Sequence, residues 1–196
     1  MSVDEFLSWF QENAERLKGK PIPSELAGEL RSSFERMNIG NWEIGPLDES
    51  GSTSFLALSQ ITADHPSARN RAKILDATPP EGWRFLPGKP PKFWSRQLRW
   101  GDPPVLIDAS DWRFLIYTYD DGMIEIVLCS DIPEVMDPDD RNRLVVTVLE
   151  SELGEACMDQ CVCGVDANSD AAPTDQANSY ALTELRPIIF ASLPRA

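Results

Sequence analysis

The chain reads as an α+β protein, with an antiparallel or mixed sheet and helices packed against it. Three observations lead there. Apolar residues recur at spacings of three and four near the N-terminus. An Asp-Gly turn joins two β-rich runs between Trp112 and Cys129. Helical and strand patterns then alternate in mixed order along the 196 residues.

Val3 to Leu17 predicts an amphipathic helix. Phe6, Leu7, Phe10, Ala14 and Leu17 share one face, Glu5, Glu12, Glu15 and Arg16 fall elsewhere, and Gly19 and Pro21 end it. A second helix follows Pro23, with Ser24 placed to cap it, Leu26, Leu30, Phe34 and Met37 as its stripe, and Gly40 as its stop. Two strands are expected next, Trp42 to Leu47 and Thr53 to Gln60, about a turn at Asp48 to Gly51. Pro66 suits the first turn of a third helix, with Ala68, Ala72, Ile74 and Leu75 as buried positions and Pro79 and Pro80 closing it. Trp83 to Leu86 then reads as a strand, with Phe85 turned inward.

Residues 87–104 contain Pro87, Gly88, Pro90, Pro91, Gly101, Pro103 and Pro104, which predicts irregular chain or a linker. Beyond it, Trp112 to Tyr119 and Met123 to Cys129 form a hairpin about Asp120, Asp121 and Gly122, because glycine accepts the positive φ that such turns require. A fourth helix starts at Pro138 with Asp137 as cap and Asp139 and Asp140 favoured by the helix dipole. Leu144, Val145, Val148, Leu149 and Leu153 give it a core face, and Gly154 stops it. Met158 to Val165 reads as a strand and Asp166 to Ser179 as a polar loop. Tyr180 to Leu193 packs back through Leu182, Leu185, Ile188, Ile189 and Phe190.

Residues 42–86 and 112–165 both read strand, strand, helix, strand, which predicts a structural pseudo-duplication sharing one sheet. No residue-level repeat accompanies it. The expected organisation is a single domain over 1–196, or two subdomains, 1–88 and 105–196, joined by the Pro-rich, basic and aromatic segment 87–104.

A hydrophobic fraction of 42% allows a substantial core. No apolar run nears the ~20 residues that span a bilayer, and acidic residues stand where a secretory signal carries basic ones. The expectation is a cytoplasmic protein whose four cysteines, Cys129, Cys157, Cys161 and Cys163, are reduced thiols. Charge is unevenly placed. Residues 1–98 hold 12 Lys/Arg against 13 Asp/Glu, a net of −1, and residues 99–196 hold 6 against 19, a net of −13. That field repels phosphate, so neither nucleic acid nor an anionic membrane is an expected partner, whereas a basic protein is admitted. The plainer alternative is an acidic surface that keeps the chain soluble. A monomer and a weak homodimer fit equally.

The one histidine, His65, precedes Pro66 at a helix start. It rules out two-histidine metal sites within one chain, and a cap or surface role is the ordinary reading. No serine or cysteine sits in a nucleophile elbow. Cys157-x3-Cys161-x-Cys163 offers one knuckle where zinc needs two. On a strand Cys161 and Cys163 would share a face, which favours core packing. Asp166-x-Asn168-x-Asp170 opens like a calcium loop but has Ala171 and Ala177 where glycine and glutamate are required. No glycine-rich phosphate loop exists. No catalytic residue, metal or cofactor is therefore assigned. Acid/base work by two carboxylates distant in sequence stays open.

The segment KPPKFWSRQLRW interleaves Lys89, Lys92, Arg96 and Arg99 with Phe93, Trp94 and Trp100, and no acid interrupts it. Lys89, Lys92, Trp94, Arg96, Arg99 and Trp100 are the candidate contacts for an anionic ligand or partner. The plainer and preferred reading is a long connection pinned to the body by its aromatics, with its cations offsetting the acidic half.

The stretches NWEIGPLDESGSTSFLALS, EGWRFLPGKPPK, VLESELGEACMDQCVCGVD and TELRPIIF together resemble uncharacterised bacterial domain-of-unknown-function families. In those a strand pair, a GW-x-F strand and a helix ending in LGE recur. The resemblance implies an α+β fold and brings no catalytic residue. The expected function is a non-catalytic, regulatory or immunity-like interaction protein whose acidic half meets a basic partner. The alternative is a small-ligand-binding protein or enzyme with a cleft beside residues 89–100.

Overall fold

The computed structural model describes residues 1–18, 21–59, 65–130, 132, 136–167 and 178–192. Gly19, Gln60, Leu193 and the positions Asn168, Asp170, Ala171 and Ala177 of the calcium-like stretch lie outside them. The protein is α+β, and it divides into two compact units, Met1–Pro90 and Pro91–Ala196.

The first unit runs α1 (Val3–Leu17), α2 (Ser24–Arg36), β1 (Trp42–Pro46), β2 (Ser54–Leu58), α3 (Ala68–Asp76) and β3 (Trp83–Leu86). Helix α1 begins with a reciprocal cap. The Ser2 hydroxyl accepts the Glu5 N–H and the Glu5 carboxylate accepts the Ser2 N–H. Its stripe buries Val3, Phe6, Phe10, Ala14 and Leu17. Helix α2 uses no side-chain cap, since Pro23 holds that position and Ser24 is already helical. Nor does Gly40 end it. Asn38 takes the left-handed conformation at φ 57°, and the Ile39 and Asn38 N–H groups donate back to the Phe34 and Glu35 carbonyls.

Strands β1 and β2 pair antiparallel, Trp42 opposite Leu58 and Pro46 opposite Ser54, and β3 lies parallel to β2 in the order β1-β2-β3. The turn between β1 and β2 is built on Asp48, whose carboxylate accepts from the Ser50 and Ser52 hydroxyls and the Ser52 and Thr53 amides. These hydrogen bonds, the Ser50 hydroxyl foremost, hold its pKa far below the usual carboxylate range. The core is aromatic: Phe10 meets the Trp83 and Phe85 rings edge-on at 4.9 and 5.5 Å, and Phe6 meets Phe34 at 5.0 Å. The buried Trp83 indole N–H donates to the Ala14 carbonyl at 3.2 Å, so its polar edge is satisfied. Helix α3 buries only Ile74. Ala72, expected inside, is exposed, because strands and the first two helices already fill the space.

The second unit runs β4 (Gln97–Trp100), β5 (Val105–Asp108), β6 (Arg113–Thr118), β7 (Ile124–Leu128), α4 (Pro138–Leu153), α5 (Glu155–Cys161), β8 (Val162–Asp166), β9 (Tyr180–Ala181) and α6 (Leu182–Ser192). The hairpin β6–β7 forms as expected. Gly122 sits at φ 83° and Tyr119 exchanges a hydrogen bond with Met123 across a three-residue loop. Strand β8 is parallel to β7, and the sheet order is β8-β7-β6-β9. The Asp137 carboxylate accepts the Asp139 N–H at 2.9 Å and caps α4, whose Leu144, Val145, Val148, Leu149 and Leu153 enter the core.

Several readings change here. The segment 87–104 is not a featureless linker, because β4 forms inside it and pairs with β5 as a separate ribbon. Met158 belongs to a short helix, not a strand, and the strand begins only at Val162. Phe190 is exposed rather than packed inward, while Leu182, Leu185 and Ile189 are buried. The strand–strand–helix–strand order holds in the first unit, while in the second α4 and α5 both precede β8. The pairing senses match, but each unit has its own sheet, not a shared one.

Candidate functional site

The six residues of the basic and aromatic segment do not converge on one point. Lys89 falls in the first unit, and Lys92, Trp94, Arg96, Arg99 and Trp100 fall in the second. There, α4 organises the segment. The Lys92 N–H donates to the Ser151 carbonyl at 2.7 Å, and the Trp94 indole N–H donates to Glu152 Oε2 at 3.3 Å. Arg96 bonds the other oxygen, Oε1, at 3.0 Å. The Arg96 and Glu152 side chains are only 29% and 11% exposed, so the pair works where water screens it less than at an open surface.

Arg96 also holds φ at 59°, a conformation that L residues adopt at an energetic cost, and its Nε is buried without a hydrogen-bond partner among the described residues. The ion pair and the Ala109 N–H, which donates to the Arg96 carbonyl at 2.8 Å, keep it there. Trp94 and Trp100 are half-buried against the core of this unit. The two tryptophans thus anchor the segment, whereas Phe93 is exposed. Arg99, on β4 opposite Leu106, is exposed. Glu152 was not singled out by sequence reasoning. With Glu150 two residues before it and Glu155 three after, nothing local distinguishes it.

The cysteines separate by environment. Cys157 and Cys161 are buried one helical turn apart on α5, and Cys163 is exposed on β8, with its thiol donating to the Ile124 carbonyl. Burial first, then the neighbouring Cys161, pushes the Cys157 thiol up to about 12, so it stays protonated and weakly nucleophilic at neutral pH. The expected common face for Cys161 and Cys163 does not form, because the chain passes from helix to strand between them. Among the described residues no three His, Cys, Asp or Glu side chains come together as a metal site.

His65 is exposed. Its Nδ1 accepts the Ser67 N–H at 3.2 Å and lies 2.8 Å from the Ser67 hydroxyl, which ties the loop to the start of α3. It lines an open cleft of about 690 Å³ in the first unit with Arg31, Glu35, Asn38, Trp42 and Pro66. No residue of 89–100 lines this cleft.

Exposed carboxylates are the prevailing chemistry of the second unit. Asp102, Asp108, Asp111, Asp120 and Asp121 all lie at the surface. The Ser110 hydroxyl, the Ser110 amide and the Gln97 amide group bond Asp108 and lower its pKa, fixing it as the anion. Tyr119, bonded to Glu125 at 2.6 Å, is held as the neutral phenol. Comparison with known protein families, with curated proteins and with solved structures finds no match. The resemblance of the short stretches therefore carries nothing further.

Proposed function

We propose that this chain is a non-catalytic interaction protein whose second unit meets a basic protein partner. The observation that carries the reading is the charge of that unit's surface. Residues 91–196 hold 8 Lys/Arg against 19 Asp/Glu, and carboxylates of the connecting loops and of the β4–β5 ribbon are exposed. Two of the cations, Arg96 and Arg143, are already engaged with Glu152 and Asp140. Such a surface draws a cationic partner at long range and repels nucleic acid and anionic lipid.

Affinity capture from host lysate tests this at about 0.1 M and about 1 M salt, between which the screening length falls from ~10 to ~3 Å. The expected result is one stoichiometric basic protein, bound at the lower and released at the higher concentration. An empty capture, or binding indifferent to salt, overturns the reading.

A second reading rests on the cleft between α2, β1 and the His65 loop. Its volume suits a small molecule, and Arg31, Glu35, Trp42 and His65 offer both charges and two aromatic rings. A thermal-shift screen against charged metabolites is its test. Stabilisation that Arg31→Ala abolishes supports it, and an unchanged melting point throughout counts against it.

A further inference from the structure

Each strand of the two-stranded ribbon has an outer edge without a partner among the described residues, and that of β5 carries the exposed apolar side chains. β5 pairs with β4 alone among the described residues. The hydrogen bond from the Ala109 N–H to the Arg96 carbonyl marks 109 and 96 as a hydrogen-bonded pair. By the alternation of an antiparallel ladder, Ile107 with Leu98 and Val105 with Trp100 are bonded pairs too. Leu106 and Asp108 therefore turn their N–H and C=O groups outward, to the open edge. Ile107 is buried, whereas Leu106 beside it is 64% exposed and Val105 is 51% exposed. An edge strand with bare apolar side chains is a template for another strand unless something guards it.

Charge limits what that strand can be. Asp102 and Asp111 flank β5 at either end and Asp108 lies on it, all three exposed and Asp108 held ionised. Arg99 is the one cation across the ribbon, on β4. A second copy of this chain would bring a net charge of −14 to the same place. We infer that the open edge of β5 takes an extended segment of a basic partner, adding it as a third strand. Its apolar residues cover Val105 on the face of Ile107. Its lysines or arginines lie on the face of Leu106 and Asp108, their stems over Leu106 and their charges toward Asp108, with Asp102 and Asp111 at the strand ends. The inference rests on the basic-partner reading and names the surface that reading lacks.

The probe is a blocked, alternating lysine–valine peptide about nine residues long, with a glutamate–valine peptide of equal length as control. Binding to the full chain is followed by fluorescence anisotropy, and edge pairing by amide hydrogen exchange. The lysine peptide alone is expected to bind and to slow exchange at the Leu106 and Asp108 amides. Leu106→Lys, which sets a like charge against the peptide's lysines, should weaken it about tenfold and Leu106→Ala less, while Phe190→Lys, at another exposed apolar residue of this unit, leaves it nearly unchanged. Both Leu106 variants change an exposed side chain, so the fold is retained.

Absence of binding, or protection elsewhere with Leu106→Lys unimpaired, overturns the edge inference. In that case undiminished, salt-released capture of a basic protein by Leu106→Lys leaves the basic-partner reading standing, and its loss from the wild type removes both. Concentration-dependent dimerisation that protects Leu106 and Asp108 without peptide also overturns the inference, by making the occupant a second copy.

Discussion

The two units carry the same local plan, and they fill it differently. In each, a hairpin is followed by a helical crossover and a third strand parallel to the second: β1, β2, α3, β3 in one and β6, β7, α4, α5, β8 in the other. In the first unit the crossover helix is nearly idle. Nine residues long, it buries Ile74, and the core comes from α1 and α2, which precede the hairpin. In the second the crossover helix is sixteen residues long and itself supplies five aliphatic core residues. One core is a cluster of aromatic rings and the other mostly branched aliphatics. Charge differs as well, with 10 Lys/Arg against 13 Asp/Glu before Pro91 and 8 against 19 after Pro90. A shared order of elements thus dictates neither where a core is made nor what surface it presents.

The most forceful test of that contrast removes one core residue from each unit. Phe10→Ala empties a site ringed by Phe6, Trp83 and Phe85 and should lose about 3–5 kcal/mol of stability. Leu149→Ala, on the crossover helix, should lose about 2–5 kcal/mol. Urea unfolding followed by amide exchange within each unit checks both. A small loss at Leu149 would mean that α4 is as dispensable to its core as α3 is.

A smaller effect is expected at the clamp that only the second unit has. Glu152→Gln removes the partner of a partly buried arginine and should lower stability by about 1–3 kcal/mol. On that background Arg96→Gly should change from harmful to neutral or stabilising, because glycine holds φ 59° without strain. If the two substitutions simply add in a double-mutant cycle, the clamp does not hold the segment.

The smallest change is expected at the end of α2. Asn38→Gly should stay within about 0.5 kcal/mol of the wild type, and Asn38→Ala should lose about 1 kcal/mol, since alanine resists φ 57°. Thermal melts of the two variants suffice. Equal stability would remove Asn38 as the residue that ends the helix.

Where the pattern was periodic and local, the sequence could be read closely. Helix α1 runs from Val3 to Leu17 as its spacing predicts, and Asp120, Asp121 and Gly122 mark a real turn. The β4–β5 ribbon escaped because its four-residue strands sit among prolines, which locally argue for loop; cross-strand pairing and the core beneath override that preference. Helix α5 escaped because Cys161-x-Cys163 alternates like a strand, although Cys157 and Cys161 already stand one helical turn apart. Of the candidate contacts, the cations and tryptophans were visible as types. The attachment of Trp94 and Arg96 to Glu152 was not, for a residue some 56 positions from Arg96 leaves no local trace.

Gly154 closes α4 and opens α5 in the same residue, at φ 85° and ψ 152°. That region is open in practice to glycine alone. Any other residue there must bend the joint between the helices that carry Glu152 and the paired thiols. The exposed aspartates answer to no such demand and can be exchanged one at a time. Backbone geometry alone thus holds position 154 to glycine, whatever side chains the surface around it carries.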